Sequence, residues 1–337
     1  MSRFINRAGG IRSVLPFVIG GAVLLTLPLY AGPYYTHILL MVFLNVVLAL
    51  SYRIFFTAGM GSFGHAAFYA IGAYVSAVFA TRLGAPFPAS FLAAGVWAGV
   101  IGAGLAFISR RAKGIYFFMI TFALFMIVST VTRQWGDVTR GMLGIAEIPP
   151  VTGCESLTSY YYMGLLFVGV SIFIMYLIDR SRFGHELMAI GDADDLAEVV
   201  GIDVVRYKIL AFAIGALFAG FAGSFLAHYV TYISPHSFPL MLNLYVILYV
   251  VVGGARELWG PIAGATLLTF IAELLRGAEK LQGILFGAVL LAVILVMPNG
   301  IVGLVDTWRA KRTLKQQAEV VTSERSKLLT RFFGGHR

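Results

Sequence analysis

The densest group of ionisable side chains in this sequence lies in one polar stretch, "SRFGHELMAIGDADDLAEVVGIDVVRYK" at 181–208. Asp192 and Asp195 are three residues apart, a spacing that resembles a capping box at a helix start. Gly201 follows where a helix would need a C-terminal stop. The stretch therefore predicts a short helix at 193–200.

This predicted helix carries an apolar group beside an acidic one. Leu196, Val199 and Val200 recur at helical spacing next to Ala197. Such a face needs a protein groove or a lipid interface to cover it. Helices that lie on anionic lipid favour Lys and Arg on their polar side. Because the polar side here is acidic, we expect a protein partner, with a solvated loop as the alternative; the acidic residues are Asp192, Asp194, Asp195 and Glu198.

Other patterns that could do chemistry are absent from the sequence. It has no Gly-Lys dipeptide, so it contains no Walker A phosphate loop. It also lacks His-Glu-x-x-His, a Cys/His ligand cluster and Gly-x-Ser-x-Gly. We therefore expect no catalytic residue, no metal and no cofactor in this chain. Any energy from a nucleotide would have to come from a partner chain.

The elements that position these residues follow from the composition. Hydrophobic residues make up 59% of the chain and charged residues 12%, well outside the range of soluble domains. Apolar runs of about 20 residues, long enough to cross a bilayer, recur almost end to end. We predict an all-α, polytopic membrane helix bundle of about ten spans, with eight or nine as the alternative: 14–30, 34–51, 63–81, 88–108, 115–132, 159–178, 207–228, 240–253, 260–275 and 281–298.

The distribution of basic residues predicts the orientation. Alternating spans from a cytoplasmic N-terminus places most of the 25 Lys and Arg inside, as the positive-inside rule requires. This asymmetry explains the net charge of +9 without nucleic acid. Both termini are then cytoplasmic. The predicted regions are an N-terminus at 1–13, a membrane domain at 14–305 with a cytoplasmic coupling segment at 181–206 and an outer loop at 133–158, and a basic tail at 306–337.

Several long stretches resemble one family of transport proteins. These are "AEVVGI" at 197–202, preceded by "SRFGHELMAIGDA", and "SFGHAAFYAIGAY" at 62–74, "KGIYFFMITFAL" at 113–124 and "VVGGARELWGPIAGA" at 251–265. Taken together, in their order along the chain, these stretches resemble the LivM branch of the branched-chain amino acid permeases, which are subunits of ATP-binding-cassette (ABC) importers.

The resemblance implies a permease subunit that moves branched-chain or related amino acids inward across the bacterial inner membrane. Its implied partners are a LivH-like second permease subunit, two ATPase subunits that bind ATP and Mg²⁺, a periplasmic substrate-binding protein and membrane lipid. The segment that docks on the ATPase would be the acidic helix, with Asp192, Asp195, Leu196, Ala197, Glu198, Val199 and Gly201. Alternatives are a permease for urea, short amides or a sugar, and an ion-coupled secondary transporter.

Two further groups of residues are candidate sites in such a permease. The Gly-rich stretch at 59–74 could break a helix and leave free N–H groups for a carboxylate, although helix packing also explains its glycines. Its candidate pathway residues are Ser62, His65, Phe68, Tyr69 and Tyr74. In the outer loop, Trp135, Asp137 and Arg140 are candidates for contact with the binding protein. The alternative is that this loop is only a solvated connection between two spans.

The sequence departs from the family pattern in the coupling segment. His185, Met188 and Gly191 stand where basic residues are usual, and Glu186 stands where a small residue is common. These changes put the charge match with a standard ATPase partner in question while leaving the docking helix itself expected.

Overall fold

The chain is built from helices that run between two ends of one bundle. A computed structural model describes residues 24–28, 30, 32–154, 156–278, 287–288 and 291. Among these residues there is no β-strand, only an isolated antiparallel bridge between Ile145 and Ile233. The main helices are α1 (Pro33–Thr57), α2 (His65–Arg82), α3 (Phe87–Ile108), α4 (Ile115–Gln134), α5 (Leu157–Arg180), α6 (Arg182–Asp192), α7 (Asp194–Val199), α8 (Val204–Val230), α9 (Leu240–Gly253) and α10 (Trp259–Leu274).

The prediction of an all-helical membrane bundle is confirmed in outline. Six helical segments of the described part are long and apolar enough to cross a membrane: α1, α3, α4, α5, α8 and the segment 235–253 that includes α9. Helices α2 and α10 coincide with two further predicted spans, so eight of the predicted spans coincide with described helices. The predicted spans at 14–30 and 281–298 lie mostly outside the described residues, and the N-terminus at 1–13 and the tail at 306–337 lie wholly outside them.

Glycine and alanine allow the central helices to touch backbone to backbone. A Cβ on Gly72 of α2 would lie 2.2 Å from the carbonyl oxygen of Gly220 in α8. A Cβ on Gly223 would lie 2.1 Å from the carbonyl oxygen of Tyr69. Small residues permit this close approach in membranes, where dispersion contacts rather than water exclusion hold helices together. Helix α8 thus packs tightly on α2.

Two further glycines also lie in close contact with neighbouring parts of the chain. A Cβ on Gly95 would meet the ring of Phe221 at 2.1 Å, and one on Gly260 would meet the carbonyl oxygen of Gly254 at 1.9 Å. The second contact folds α9 and α10 into a tight hairpin. Neither position has room for a larger side chain.

Between α1 and α2 the chain leaves helical conformation while still inside the bundle. In this segment, residues 58–64, named the buried segment here, Met60 and Ser62 are 6% and 1% exposed, whereas Gly59 and Gly61 reach the surface. Non-helical backbone at this depth must find hydrogen-bond partners in the protein. The N–H of Phe63 donates to Thr121 Oγ1 at 2.9 Å, and the Tyr52 hydroxyl donates to the Ser62 carbonyl at 3.0 Å. Side chains of α4 and α1 therefore supply those partners.

Candidate functional site

The short helix predicted at 193–200 is present as α7, Asp194–Val199. Gly201 ends it, as predicted, at a φ of +91°, a conformation that favours glycine. The N–H of Gly201 donates to the Glu198 carbonyl at 3.0 Å, and that of Ile202 donates to the Ala197 carbonyl at 3.1 Å. This pair of bonds is a Schellman motif, which satisfies carbonyls left free at the helix end.

The predicted capping box at the start of this helix is wrong. Asp192 is the last residue of α6, and the N-cap of α7 is Ala193, which makes no side-chain capping bond. An N-cap side chain works from extended backbone, whereas Asp192 remains helical because α6 continues through it. The buried residues Leu187 and Ile190 hold α6 against the bundle up to that point.

The apolar face of α7 points out of the chain. Leu196, Val199 and Val200 are 70%, 84% and 75% exposed, although their side chains are aliphatic. Ala197 is 3% exposed and faces the chain's own interior, so its side chain is covered without a partner. The exposed residues form an apolar patch at one end of the bundle.

Ion pairs hold α7 to its neighbours. Asp195 pairs with Lys113 in the turn between α3 and α4 at 3.0 Å, and Asp194 pairs with Lys208 of α8. The hydrogen bond that Lys113 donates to the Asp195 carboxylate raises the pKa of Lys113 above its usual value. Glu198 is exposed and makes no ion pair with any residue that the structure describes. The acidic residues thus fasten the helix on two sides.

The end of α6 touches the buried segment directly. A Cβ on Gly191 would lie 2.1 Å from the carbonyl oxygen of Thr57 and 3.3 Å from the nitrogen of Gly59. This contact leaves no room for a side chain at position 191. His185 is exposed, and its Nδ1 lies 2.8 Å from the Ser181 carbonyl oxygen. Met188 borders a cleft near Arg180; nothing here explains Glu186, whose Oε2 is buried without a hydrogen-bond partner among the described atoms.

A buried ion pair that sequence reasoning missed lies beside this contact. Arg53 of α1 is 2% exposed, and its Nη1 donates to both carboxylate oxygens of Asp179 at 2.8 Å. Its Nε donates to the Ala255 carbonyl at 2.8 Å, and its Nη2 to the Arg256 carbonyl at 3.1 Å. Both charges stand just beyond the predicted span ends at 51 and 178. The sequence signal that could have predicted this pair is the presence of opposite charges just beyond the ends of two predicted spans.

The five candidate pathway residues lie in the core of the chain. Ser62, His65, Phe68, Tyr69 and Tyr74 are each 5% exposed or less. His65 Nε2 lies 2.8 Å from Ser51 Oγ, and Ser62 Oγ accepts from the N–H of Gly64 at 3.3 Å. Their role in a pathway stays a prediction, because in this conformation their surroundings are packed protein.

Two N–H groups at the start of α2, those of Ala66 and Ala67, are not free as a broken helix could offer them. The N–H of Ala66 donates to Asn243 Oδ1 of α9 at 2.8 Å, and the N–H of Ala67 to the Gly64 carbonyl at 3.0 Å. The expectation that those groups could face a carboxylate is therefore wrong for Ala66 and Ala67. The Ala66 N–H is satisfied because α9 packs an amide side chain over the helix start, and the Ala67 N–H is satisfied by the local Gly64 carbonyl.

The outer loop is ordered at the far end of α2. Trp135, Asp137 and Arg140 are all exposed there. Arg82, the last residue of α2, donates to the carbonyls of Asp137 and Val138. The N–H of Ile145 donates to the Ile233 carbonyl at 2.9 Å. The loop thus presents three exposed side chains from a fixed backbone.

Comparisons with known proteins agree on one family. The family model described as "Branched-chain amino acid transport system / permease component" matches residues 34–297. The "High-affinity branched-chain amino acid transport system permease protein LivM" of Escherichia coli is 30% identical over 267 residues, 71% of this chain and 61% of that protein. The "Probable branched-chain amino acid transport permease protein LivH" of Methanocaldococcus jannaschii is 23% identical over 295 residues, 82% of this chain and 92% of that protein.

The matched region covers only part of the LivM relatives. The match spans about three-fifths of the length of the LivM relatives. No solved structure matches the chain significantly.

Proposed function

The chain belongs to the family of permease components of branched-chain amino acid transport systems, and from this premise we propose that it is a permease subunit of an ABC importer. It carries branched-chain or related amino acids inward across the bacterial inner membrane as a multi-pass protein. ATP hydrolysis belongs to partner subunits, which hold ATP and Mg²⁺. The observation that carries the proposal is the exposed aliphatic patch on α7, in a family whose members transport.

The patch is the docking surface for an ATPase subunit. Leu196 and Val199 would fill an apolar groove of the partner, and Asp192, Asp195 and Glu198 would face basic groups around it. Aliphatic side chains that are this exposed mark an interaction site when they are contiguous and rimmed by charge. With α7 on the cytoplasmic side, both termini are cytoplasmic and the coupling segment is 181–206.

Force from the ATPase would pass from α7 through α6 to the buried segment. Gly191 rests on Thr57 and Gly59, so a shift of α6 moves the residues that lead into α2. Helix α2 carries His65, Phe68, Tyr69 and Tyr74, with Ser62 just before it. We propose that these side chains meet the substrate when the helices part, and that packing shields them in the conformation described above.

The remaining partners follow from the family. A LivH-like subunit would complete the permease, and a periplasmic substrate-binding protein would deliver the amino acid. Trp135, Asp137 and Arg140 lie at the end of α2 opposite the buried segment, where such a protein would dock. Membrane domain 14–305 and basic tail 306–337 complete the proposed layout.

Reconstitution with these partners tests the proposal. Proteoliposomes holding the complete complex are expected to take up leucine only when ATP is present on the side of the membrane where the ATPase subunits lie and the binding protein is present on the opposite side. Leu196→Asp with Val199→Asp is expected to abolish co-purification of the ATPase and uptake, because the groove cannot accept two charges. The matched control for ATPase co-purification is Leu143→Asp, 81% exposed in the outer loop. Uptake that needs no ATPase but follows a proton gradient would favour a secondary transporter; uptake of urea or a sugar in place of leucine would change the substrate class.

A further inference from the structure

A cavity of about 360 Å³ lies beneath α7, and Glu198 is the residue that it shares with the docking surface. Its floor is the start of the buried segment, Gly59 to Gly61, and α7, the α3–α4 turn and the start of α8 enclose it. Sites for small ligands occupy about 300–1,000 Å³. The cavity is therefore large enough for one small molecule.

Its walls combine aliphatic and aromatic surface with charges of both signs. Met60, Phe117 and Val205 supply apolar surface. Six ionised side chains also border it, and four of them are held in ion pairs within the chain: Lys113, Asp194, Asp203 and Lys208.

The two remaining charges are opposite in sign. Arg110 and Glu198 both line the cavity, and neither makes an ion pair with any described residue. The guanidinium of Arg110 stacks 4.5 Å from the ring of Phe107, a contact that leaves its N–H groups able to donate. Glu198 stands four residues after Asp194, so the two share the face of α7 that borders the cavity.

We propose that this cavity, the exit cavity, binds an aliphatic amino acid as a zwitterion before its release to the cytoplasm; the proposal rests on the transport function above. Arg110 binds the α-carboxylate, since a guanidinium can donate two parallel hydrogen bonds to it. Glu198 binds the α-ammonium group. The aliphatic side chain packs against Met60, Phe117 and Val205.

Protection of an introduced cysteine from chemical labelling tests this assignment, and it detects a ligand that binds with low affinity. The chain has a single cysteine, Cys154, so Cys154→Ser gives a cysteine-free background. In it, Gly61→Cys places a thiol in the cavity, where an added Cβ meets nothing within 4 Å. Inside-out vesicles containing the full complex are treated with a membrane-impermeant maleimide. L-leucine is expected to slow labelling at position 61, whereas isopentylamine and 4-methylpentanoate, which each lack one charge, are not.

Substitutions and a second cysteine position make the test specific. Arg110→Gln and Glu198→Gln are each expected to raise the leucine concentration for half protection by about tenfold, the loss of one charge-assisted hydrogen bond. Arg111→Gln, an exposed neighbour outside the cavity, is expected to change nothing. Arg111→Cys, an exposed position that neither lines the cavity nor lies on the docking patch, is expected to label at the same rate with and without leucine.

Three results would overturn the proposal: no protection at position 61, protection by either analogue equal to that by leucine, or protection unchanged by both charge substitutions. ATP-driven uptake by the cysteine-free complex is measured in parallel. Normal uptake without protection would refute the exit cavity and leave the transport function standing. Protection without ATP-driven uptake would refute the transport function and leave the cavity as a leucine site.

Discussion

The cytoplasmic end, as proposed, has two layers that are held together in opposite ways. The inner layer is formed by Arg53, Asp179, Gly191 and the buried segment 58–64. The Arg53 side chain and the Phe63 N–H find hydrogen-bond partners within the chain, and Gly191 packs on the backbone of Thr57. The outer layer, α7, turns aliphatic side chains to the outside and is fastened by ion pairs.

The difference separates transmission from reception. A layer that transmits movement must not yield, and close-packed backbones with a buried ion pair do not. A layer that receives a partner must leave its apolar surface uncovered, which costs stability until the partner binds. Substitutions in the inner layer should therefore lower the stability of the isolated chain, whereas those in the outer layer should lower only assembly.

The largest expected effect is that of Arg53→Ala. It leaves Asp179 without its partner and two carbonyls without a donor, and breaking a buried pair costs about 3–5 kcal/mol. Because the Asp179 side chain is 21% exposed, water offsets part of this, and we expect about 3 kcal/mol. Thermal unfolding in detergent measures it. Arg111→Ala is the exposed control, and a loss no larger than the control's would contradict the inner layer's role.

Gly191→Arg should come next, although it introduces the basic residue that the resemblance led us to expect at this position. The new Cβ would overlap the Thr57 carbonyl, so α6 must lift off the buried segment, at about 1–3 kcal/mol. We expect ATP-driven leucine uptake to fall by more than about tenfold, since the transmitting contact is lost. His185→Arg makes the same kind of change at an exposed position and should be tolerated. Equal activity of the two variants would show that force does not pass through Gly191.

Thr121→Val removes the acceptor for the Phe63 N–H and should cost about 1–2 kcal/mol, because a buried donor is left unsatisfied. Thr121→Ser keeps the hydroxyl and should retain most of the stability. Thr266→Val, which loses only a bond to the Ile262 carbonyl within its own helix, serves as the matched control. Melting curves in which all three variants coincide would mean that the buried segment does not depend on α4.

Lys113→Gln should have the smallest effect, no measurable change in melting temperature, because the pair with Asp195 is exposed and screened by water and salt. The raised pKa of Lys113 means that its contribution is present below the unfolded pKa and is lost as pH rises through the folded one. The contribution of Lys113 to the stability of the chain should therefore not change between about pH 6 and 8. A clear loss at neutral pH would place Lys113 among the supports of the inner layer.

Much of the architecture could be predicted from local pattern. Apolar runs predicted eight of the described helices, and the spacing from Leu196 to Gly201 predicted a short exposed helix and its end, because hydropathy and left-handed backbone are properties of neighbours in sequence. The capping role of Asp192 failed because whether α6 ends before that residue depends on how Leu187 and Ile190 pack.

By itself, the sequence determined that this is a helical membrane protein without a phosphate loop, with an acidic amphipathic helix set in its polar stretch. Only the tertiary structure decided which side chains meet: Arg53 with Asp179 across 126 positions, Ala66 with Asn243 across 177, Gly191 with Thr57. It also decided that Arg110 and Glu198 face one cavity. Such contacts depend on the relative placement of whole helices, which backbone approach at glycines sets and no local pattern encodes.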